Sequence, residues 1–307
     1  MRRFVPTTLA LLCATAATIS AQTASAQTVS LEPIADGTLF QQDDGLLANG
    51  AGIYLFAGQT VQGDESLRLR RALLRFDIAG AVPAGSTVTG AELTLRMNRT
   101  ISGGSIQTLH RVTSDWAEGA DDAPGQEGGG TLATAGAATW IHTSFDTAFW
   151  TNPGGDFVAA PSATEVVSGF GTYQWDGPGM VADVQAWADG GDNFGWILIG
   201  DEDDAPTAKR FDSRESTNVS FRPALVITFD PPANECPADI TTEGTSNGIP
   251  DGALTLSDFS FYLSLWANNN PDADVTTTGV CNFGMGGDGV DLSDFSCYLA
   301  EWSMGCP

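Results

Sequence analysis

Apolar and polar residues alternate in several stretches of the chain before residue 232. In residues 91–97 the odd positions are apolar and the even positions are Glu, Thr and Arg, and this two-residue period predicts a half-buried β-strand. Residues 72–77 and 224–229 predict further strands, and the apolar run at residues 194–199 predicts a strand buried on both faces. Many short strands predict a mainly β fold, a jelly-roll-like β-sandwich of two sheets.

A helical period occurs in one segment of this body and twice near the C-terminus. Apolar residues within 180–187 recur at helical spacing. Further on, LSDFSFYLSLW at residues 256–266 returns as LSDFSCYLAEW at 292–302, and ADITTEG at 238–244 returns as ADVTTTG at 273–279. The aromatic stripe of each repeated helix predicts a packed interface. The sequence therefore predicts a small, duplicated α-helical domain at the C-terminus.

Oxygen-bearing residues precede each repeated helix. Residues 236–307 contain ten acidic residues and no Lys or Arg, so like charges oppose compaction unless a cation or disulfides intervene. A calcium loop supplies several oxygens and closes with an acid in the first turn of the next helix, as in an EF-hand. The predicted Ca²⁺ ligands are Asp239, Asn247, Asp251, Ala253, Asp258, Asp274, Asp288, Asp291 and Asp294. The alternative is a solvated acidic loop.

The helix starts and the cysteines add two local predictions. Thr255 and Asp258, like Asp291 and Asp294, have the spacing of an N-cap and the third helical residue. Four cysteines in an exported region predict two disulfides with three possible pairings, and free buried thiols are the alternative. These cysteines are Cys236, Cys281, Cys297 and Cys306.

The start of the chain predicts export. Residues 1–26 combine a positively charged start, an apolar stretch and a closing Ala-Ser-Ala, which is the pattern of a secretory signal peptide. No later segment approaches the roughly 18 uninterrupted apolar residues of a membrane span. We therefore expect a secreted protein, extracellular or associated with the cell surface.

The charge of the chain restricts its partners. Thirteen basic and 38 acidic residues give a net charge of −25, which argues against nucleic acid as a ligand. Arginines that converge can bind carboxylates or sulfates bidentately, and exposed indoles can stack on sugar rings; ordinary ion pairs and core tryptophans are the alternatives. The candidate ligand-binding residues are Arg71, Arg75, Arg96, Trp116 and Trp140.

The order of several motifs in the β body resembles the DNRLRE-type domain, a carbohydrate-binding module family found beside polysaccharide-degrading enzymes. The motifs include ADGTLF (35–40), RALLRFD (71–77), SDWAEGA (114–120), RFDSRES (210–216) and RPALVITF (222–229). The resemblance implies acidic polysaccharides as the leading ligand class. A Gly-rich insert at residues 121–136 departs from the family pattern.

The duplicated tail, which ends in Gly-Cys-Pro, resembles a dockerin of the GC type. Dockerins bind cohesin modules, so the resemblance implies that a cohesin-like scaffold module is the partner. By the same resemblance, the partner-binding residues are Leu256, Ser257, Leu292 and Ser293.

These observations predict a signal peptide (1–26), a DNRLRE-like β-sandwich (27–232), a linker (233–235) and a dockerin-like calcium-binding domain (236–307). No catalytic motif is recognisable, and the two histidines, His110 and His142, lie in different segments. We expect a non-catalytic protein that binds polysaccharide and is anchored through a calcium-dependent dockerin. A structural or adhesion spacer, or a polysaccharide lyase or hydrolase, is the alternative.

Overall fold

The computed structural model describes residues 26–61, 68–203, 206–231, 238–241, 244, 248, 250, 253–277, 280–281, 283 and 289–304. The described part is mainly β, which confirms the predicted fold class in its coarse form. None of its helices has the length and apolar character that a membrane span requires. The predicted ligands Asn247, Asp251 and Asp288, and the cysteines Cys236 and Cys306, lie outside the described residues.

The β body contains fifteen described strands. They are β1 (Gln27–Leu31), β2 (Ala35–Phe40), β3 (Leu47–Ala48), β4 (Tyr54–Gln59), β5 (Leu69–Arg75), β6 (Thr87–Thr100), β7 (Ser105–Arg111), β8 (Thr131–Leu132), β9 (His142–Ser144), β10 (Ala148–Phe149), β11 (Ala163–Val167), β12 (Gly171–Asp176), β13 (Trp196–Gly200), β14 (Lys209–Asp212) and β15 (Ala224–Asp230). Eleven of them form one large curled antiparallel sheet, and β3 with β8 and β9 with β10 form two small separate pairs.

Strand β4 joins the two halves of the curled sheet. Its residues 54–57 pair with β14, whereas Gly58 and Gln59 pair with β5. One half contains β1, β15, β6, β12 and β14, and the other contains β2, β5, β13, β7 and β11. Gly58 has φ +103°, and a Cβ there would lie 3.0 Å from the backbone of Thr207. The transition between the halves therefore requires glycine.

The two halves of the sheet share one hydrophobic core. Leu93 and Leu225 from the first half are buried with Leu74 and Trp196 from the second. Helix α1 (Pro178–Ala188) adds four buried apolar residues to this core, Met180, Val184, Trp187 and Ala188. The helix that the spacing in residues 180–187 predicted is thus confirmed.

The strand predictions are largely confirmed. In β6 the odd positions 91–97 are buried and the even positions are half-buried, as the alternation predicted. The strand predicted from residue 194 begins two residues later, at Trp196. Gly195 explains the difference, because it has φ +75° and a Cβ there would lie 2.0 Å from the carbonyl oxygen of Leu74.

The C-terminal region is built from two matching helices, α2 (Leu256–Ala267) and α3 (Leu292–Met304), with a short strand pair, β16 (Thr276–Thr277) and β17 (Val280–Cys281). Tyr262 and Tyr298 stack at the centre, with ring centroids 3.8 Å apart. The Tyr262 hydroxyl donates to the carbonyl oxygen of Ala273 in the second repeat, and the Tyr298 hydroxyl donates to that of Ala238 in the first. The two repeats of the sequence therefore make equivalent contacts in the structure.

The helix caps and one disulfide agree with the sequence. Thr255 and Asp258 form the predicted capping box at the start of α2. At the start of α3 the backbone N–H of Asp291 donates to Asp294 Oδ2, at 2.6 Å. Cys281 and Cys297 form a disulfide, which is one of the bonds that the cysteine count predicted.

Candidate functional site

A cleft of about 360 Å³ opens between the Gly-rich segment and the strands β5, β6 and β14. Four of its lining residues are basic, namely Arg70, Arg99, Lys209 and Arg210. Because the chain as a whole carries a net charge of −25, this concentration of positive charge is a local exception. We refer to this site as the basic cleft.

Three of these cations, Arg99, Lys209 and Arg210, form no ion pair with a carboxylate of the described residues. Arg70 lies over the ring of Phe40, 4.8 Å from its centroid, and burial lowers the pKa of Arg70 to about 10. The charges of Arg99, Lys209 and Arg210 are therefore not neutralised by an ion pair within the described residues.

Lys209, the single lysine of the chain, is held by oxygens that carry no charge. Its Nζ donates to the hydroxyls of Thr100 (3.1 Å) and Ser102 (2.9 Å) and to the carbonyl oxygen of Gly103. The residue is fully buried, and this burial lowers its pKa. Three neutral acceptors orient the ammonium group without cancelling its charge.

Gln126 occupies the position between the two outer guanidinium groups. Its Oε1 accepts a hydrogen bond from Nη1 of Arg99 at 2.5 Å and another from Nη1 of Arg210 at 2.8 Å. Arg210 is itself fixed, because its Nε donates to Asn98 Oδ1 and its guanidinium lies 3.6 Å from the ring centroid of Tyr54. A neutral amide oxygen thus takes the place that suits a carboxylate or sulfate oxygen.

The Gly-rich segment, residues 121–136, forms one wall of the basic cleft, and Glu127 connects this wall to the sheet through hydrogen bonds. Its carboxylate accepts hydrogen bonds from Nδ2 of Asn49 and from the backbone N–H groups of Ile53 and Tyr54. Burial raises the pKa of Glu127. The residue also has φ +64°, a conformation that non-glycine residues adopt only when their surroundings enforce it. The wall is therefore fixed before any ligand binds.

The three predicted ligand-binding arginines are engaged elsewhere. Arg71 forms a bidentate ion pair with Glu202, at 2.8 and 2.9 Å, Arg75 pairs with Asp115 at 2.7 Å, and Arg96 pairs with Asp212 at 3.3 Å. The structure does not bring these three into the basic cleft. Consecutive strand residues point to opposite faces, so the neighbour of Arg71 on β5, Arg70, reaches the cleft instead.

The two predicted sugar-stacking tryptophans lie in the core. Trp116 is 3% exposed and Trp140 is 7% exposed. The guanidinium of Arg75 lies 5.0 Å from the ring centroid of Trp116, and that of Arg71 lies 4.9 Å from the ring centroid of Trp140. Arginine covers these rings and neither presents an open face to solvent, so the structure does not place either tryptophan to stack on a sugar as predicted.

The predicted terminal calcium ligands of the tail already hold hydrogen bonds. Asp258 accepts from the backbone N–H groups of Ile240 (2.9 Å), Thr241 (2.8 Å) and Thr255 (2.7 Å). Asp294 makes the matching bonds in the second repeat, where it accepts from the backbone N–H groups of Val275, Thr276 and Asp291. Both carboxylates are fully buried, and each fastens the start of its repeat to its helix.

The other described candidate ligands differ in exposure. Asp274 Oδ2 accepts from the backbone N–H of Gly289 at 3.0 Å, whereas its Oδ1 is buried and has no hydrogen-bond partner. Asp239 is buried, and Ala253 and Asp291 are exposed. Hydrogen bonds from the hydroxyl and backbone N–H of Ser293 lower the pKa of Asp291. Asp274 is thus a predicted ligand with an unused oxygen.

The predicted partner-binding residues occupy equivalent positions in the two repeats. Leu256 is 74% exposed and Leu292 is 70% exposed, each at the first position of its helix. Ser257 Oγ accepts from the backbone N–H of Gly244, and Ser293 Oγ donates to Asp291 Oδ1. Each repeat therefore presents an exposed leucine beside a serine at the same point of its fold.

No protein-family model matches the chain, and no curated protein matches it significantly.

Proposed function

We propose that this protein is a secreted, non-catalytic protein that binds acidic polysaccharide in the basic cleft of a jelly-roll-like β-sandwich. The observation that carries the proposal is the pair Arg99 and Arg210, which form no ion pair among the described residues of a strongly acidic chain and lie beside the buried charge of Lys209. Guanidinium groups bind carboxylates and sulfates through paired, charge-assisted hydrogen bonds. A uronate or sulfated sugar supplies those groups at regular intervals.

The acidic ligand binds by replacing the hydrogen-bond acceptor that Arg99 and Arg210 share. A ligand carboxylate or sulfate displaces the amide oxygen of Gln126 and takes over the hydrogen bonds from Arg99 and Arg210. Because Arg210 is already held by Asn98 and Tyr54, little conformational entropy is lost when the ligand arrives. Neutral polysaccharides have no group that replaces the amide oxygen with a stronger acceptor.

The carboxyl content of the cleft and the state of the two histidines favour binding of a polysaccharide over its cleavage. Glycoside hydrolysis uses two carboxyl groups, whereas the described lining of the basic cleft contains one, Glu127. Both histidines are buried and hydrogen-bonded: His110 contacts Val158 O and Thr108 Oγ1, and His142 contacts Thr139 Oγ1. Burial also lowers the pKa of His110.

Binding of the full-length protein to a panel of polymers tests the proposal. We expect retention on a polyuronate or a sulfated polysaccharide, and none on a neutral glucan or mannan of the same length. Retention should weaken steeply as salt is raised, because the interaction is electrostatic. Separate polyuronate and sulfated arms identify the preferred anion. Equal retention on neutral polymers contradicts the proposal, and retention on no polymer favours a spacer role.

For the tail we propose a dockerin-like, EF-hand-like module that holds Ca²⁺ and binds a cohesin-like partner. Its two-fold repetition of contacts, its matched exposed leucines and the unused oxygen of Asp274 support this. Oxygen donors of this kind suit a hard cation. The exposed Leu256 and Leu292 give two equivalent surfaces, so a partner has two orientations in which to bind.

Calcium is expected to slow amide hydrogen exchange in α2 and α3 of the full-length protein. At a calcium concentration of about 100 times the dissociation constant, the expected stabilisation is about 2.7 kcal/mol, roughly a 100-fold slowing. The Asp274→Asn variant should lose most of the effect, whereas Asp272→Asn, an exposed acid two residues away, should keep it. Identical exchange in calcium and in chelator contradicts metal binding by the tail.

A further inference from the structure

Three carboxylates from distant parts of the chain meet in the β body, outside the basic cleft. Asp36 lies on β2, Glu118 lies after β7 and Glu215 lies after β14. One oxygen atom from each side chain lies within 4.8 Å of the others. Asp36 belongs to the segment ADGTLF, Glu118 to SDWAEGA and Glu215 to RFDSRES, so the fold assembles this cluster from three separate segments rather than from one acidic run.

The cluster contains one compensating cation, Arg214. Its Nη1 donates to Glu118 Oε1 (2.9 Å) and Oε2 (2.8 Å) and lies 3.2 Å from Glu215 Oε1. The backbone N–H of Arg214 donates to Asp36 Oδ2 at 2.8 Å, and the backbone N–H of Asp36 donates to Glu118 Oε1 at 2.8 Å. Three ionised carboxylates and one guanidinium leave an excess of two negative charges.

An unpaired oxygen of Asp36 is independent evidence for a ligand at this cluster. The residue is fully buried, and its Oδ1 has no hydrogen-bond partner. A buried polar atom without a partner is unusual and costs free energy. Burial, together with the charges of Glu215 and Glu118, raises the pKa of Asp36 well above its ordinary value. Either a proton or a cation satisfies such a carboxylate.

The geometry points to a divalent cation, best matched by Ca²⁺, bound between Asp36, Glu118 and Glu215 in the β body. Calcium–oxygen distances of about 2.3–2.6 Å allow two ligands of one ion to lie up to about 5 Å apart, and the observed oxygens fall within this limit. The charge of the ion equals the excess negative charge of the cluster. Each of the three carboxylates offers one oxygen within this limit, and water completes a coordination shell of six to eight.

A cation here would fasten three segments of the β body that the chain order separates. β2 belongs to one half of the curled sheet, whereas Glu215 follows β14 in the other half. The inference concerns neither the basic cleft nor the tail, so it stands or falls separately from the proposed function.

Counting the calcium ions bound by the full-length protein tests the site. Equilibrium dialysis against CaCl₂ should show one ion fewer per chain for Asp36→Asn than for the parent. The matched control is Asp43→Asn, an exposed acid in the loop after β2, which should bind as many ions as the parent. Ions held by the tail are common to all three proteins, so they do not change the difference.

A second measurement separates a cation from a proton. In chelator, Asp36→Asn should unfold at a higher temperature than the parent, because it removes a buried, repelled charge. Added CaCl₂ should raise the unfolding temperature of the parent more than that of the variant. If Asp36→Asn does not fold, Glu215→Gln replaces it, with the same loss of one ion expected. An equal number of bound ions in the parent and in a folded variant overturns the inference.

Discussion

Replacing Gln126 by Glu is expected to weaken binding of acidic polysaccharide by roughly 30- to 100-fold. The two side chains have the same shape, but the glutamate places a charged acceptor between Arg99 and Arg210, where Gln126 now accepts two hydrogen bonds. A ligand anion must then displace an internal carboxylate. Hydrogen bonds to charged groups contribute about 1.5–3 kcal/mol, and a 100-fold loss of affinity corresponds to about 2.7 kcal/mol.

Two control variants make this result specific to the basic cleft. Gln126→Ala removes the competing acceptor, so its affinity should equal or exceed that of the parent. Arg222→Ala removes one positive charge from an ion pair with Glu32 outside the cleft and should change affinity little. Titration calorimetry with a defined uronate or sulfated oligosaccharide provides the measurement. Equal affinities of Gln126→Glu and Gln126→Ala would show that the ligand does not bind between these arginines.

Replacing Asp258 by Ala is expected to destabilise the C-terminal region by about 3 kcal/mol, even without calcium. The change deprives the backbone N–H groups of Ile240, Thr241 and Thr255 of their acceptor. The carboxylate is fully buried, and each unsatisfied buried group costs about 1–3 kcal/mol. Helix α2 also loses its capping box.

Amide hydrogen exchange within residues 256–267 reports this loss locally. A change of about 3 kcal/mol accelerates exchange more than 100-fold, and the acceleration should appear in chelator as well as in calcium. Asp272→Ala, which removes an exposed acid from the same region, should leave exchange unchanged. If Asp258→Ala affects exchange only when calcium is present, the carboxylate acts as a metal ligand and its hydrogen bonds contribute little.

The sequence predicted the parts of the fold that depend on local periodicity. The alternation in residues 91–97 corresponds to burial of alternate residues in β6, and the spacing of Met180, Val184 and Trp187 corresponds to their burial in α1. Both patterns depend only on residues that are close together in the sequence. The bend at Gly58 was not predicted, because it depends on the approach of a distant segment at Thr207.

The basic cleft was only partly predictable, because segments that are distant in the sequence form it. Arginine-rich stretches are visible in the sequence, but which arginine faces the cleft depends on strand register and on the position of acidic partners. Arg71 has Glu202 within reach and Arg96 has Asp212, whereas Arg99 meets only the neutral Gln126 among its described hydrogen-bond partners. The Gly-rich insert at residues 121–136 was the available signal, since Gln126 and Glu127 belong to it.

The hydrogen bonds of two tyrosines make the repeats of the C-terminal region dependent on each other. Tyr262 donates its hydrogen bond to Ala273, and Tyr298 donates to Ala238, so neither repeat satisfies its own tyrosine. A polypeptide with a single repeat would leave its tyrosine hydroxyl without this acceptor, so the two repeats depend on each other for a fully hydrogen-bonded core.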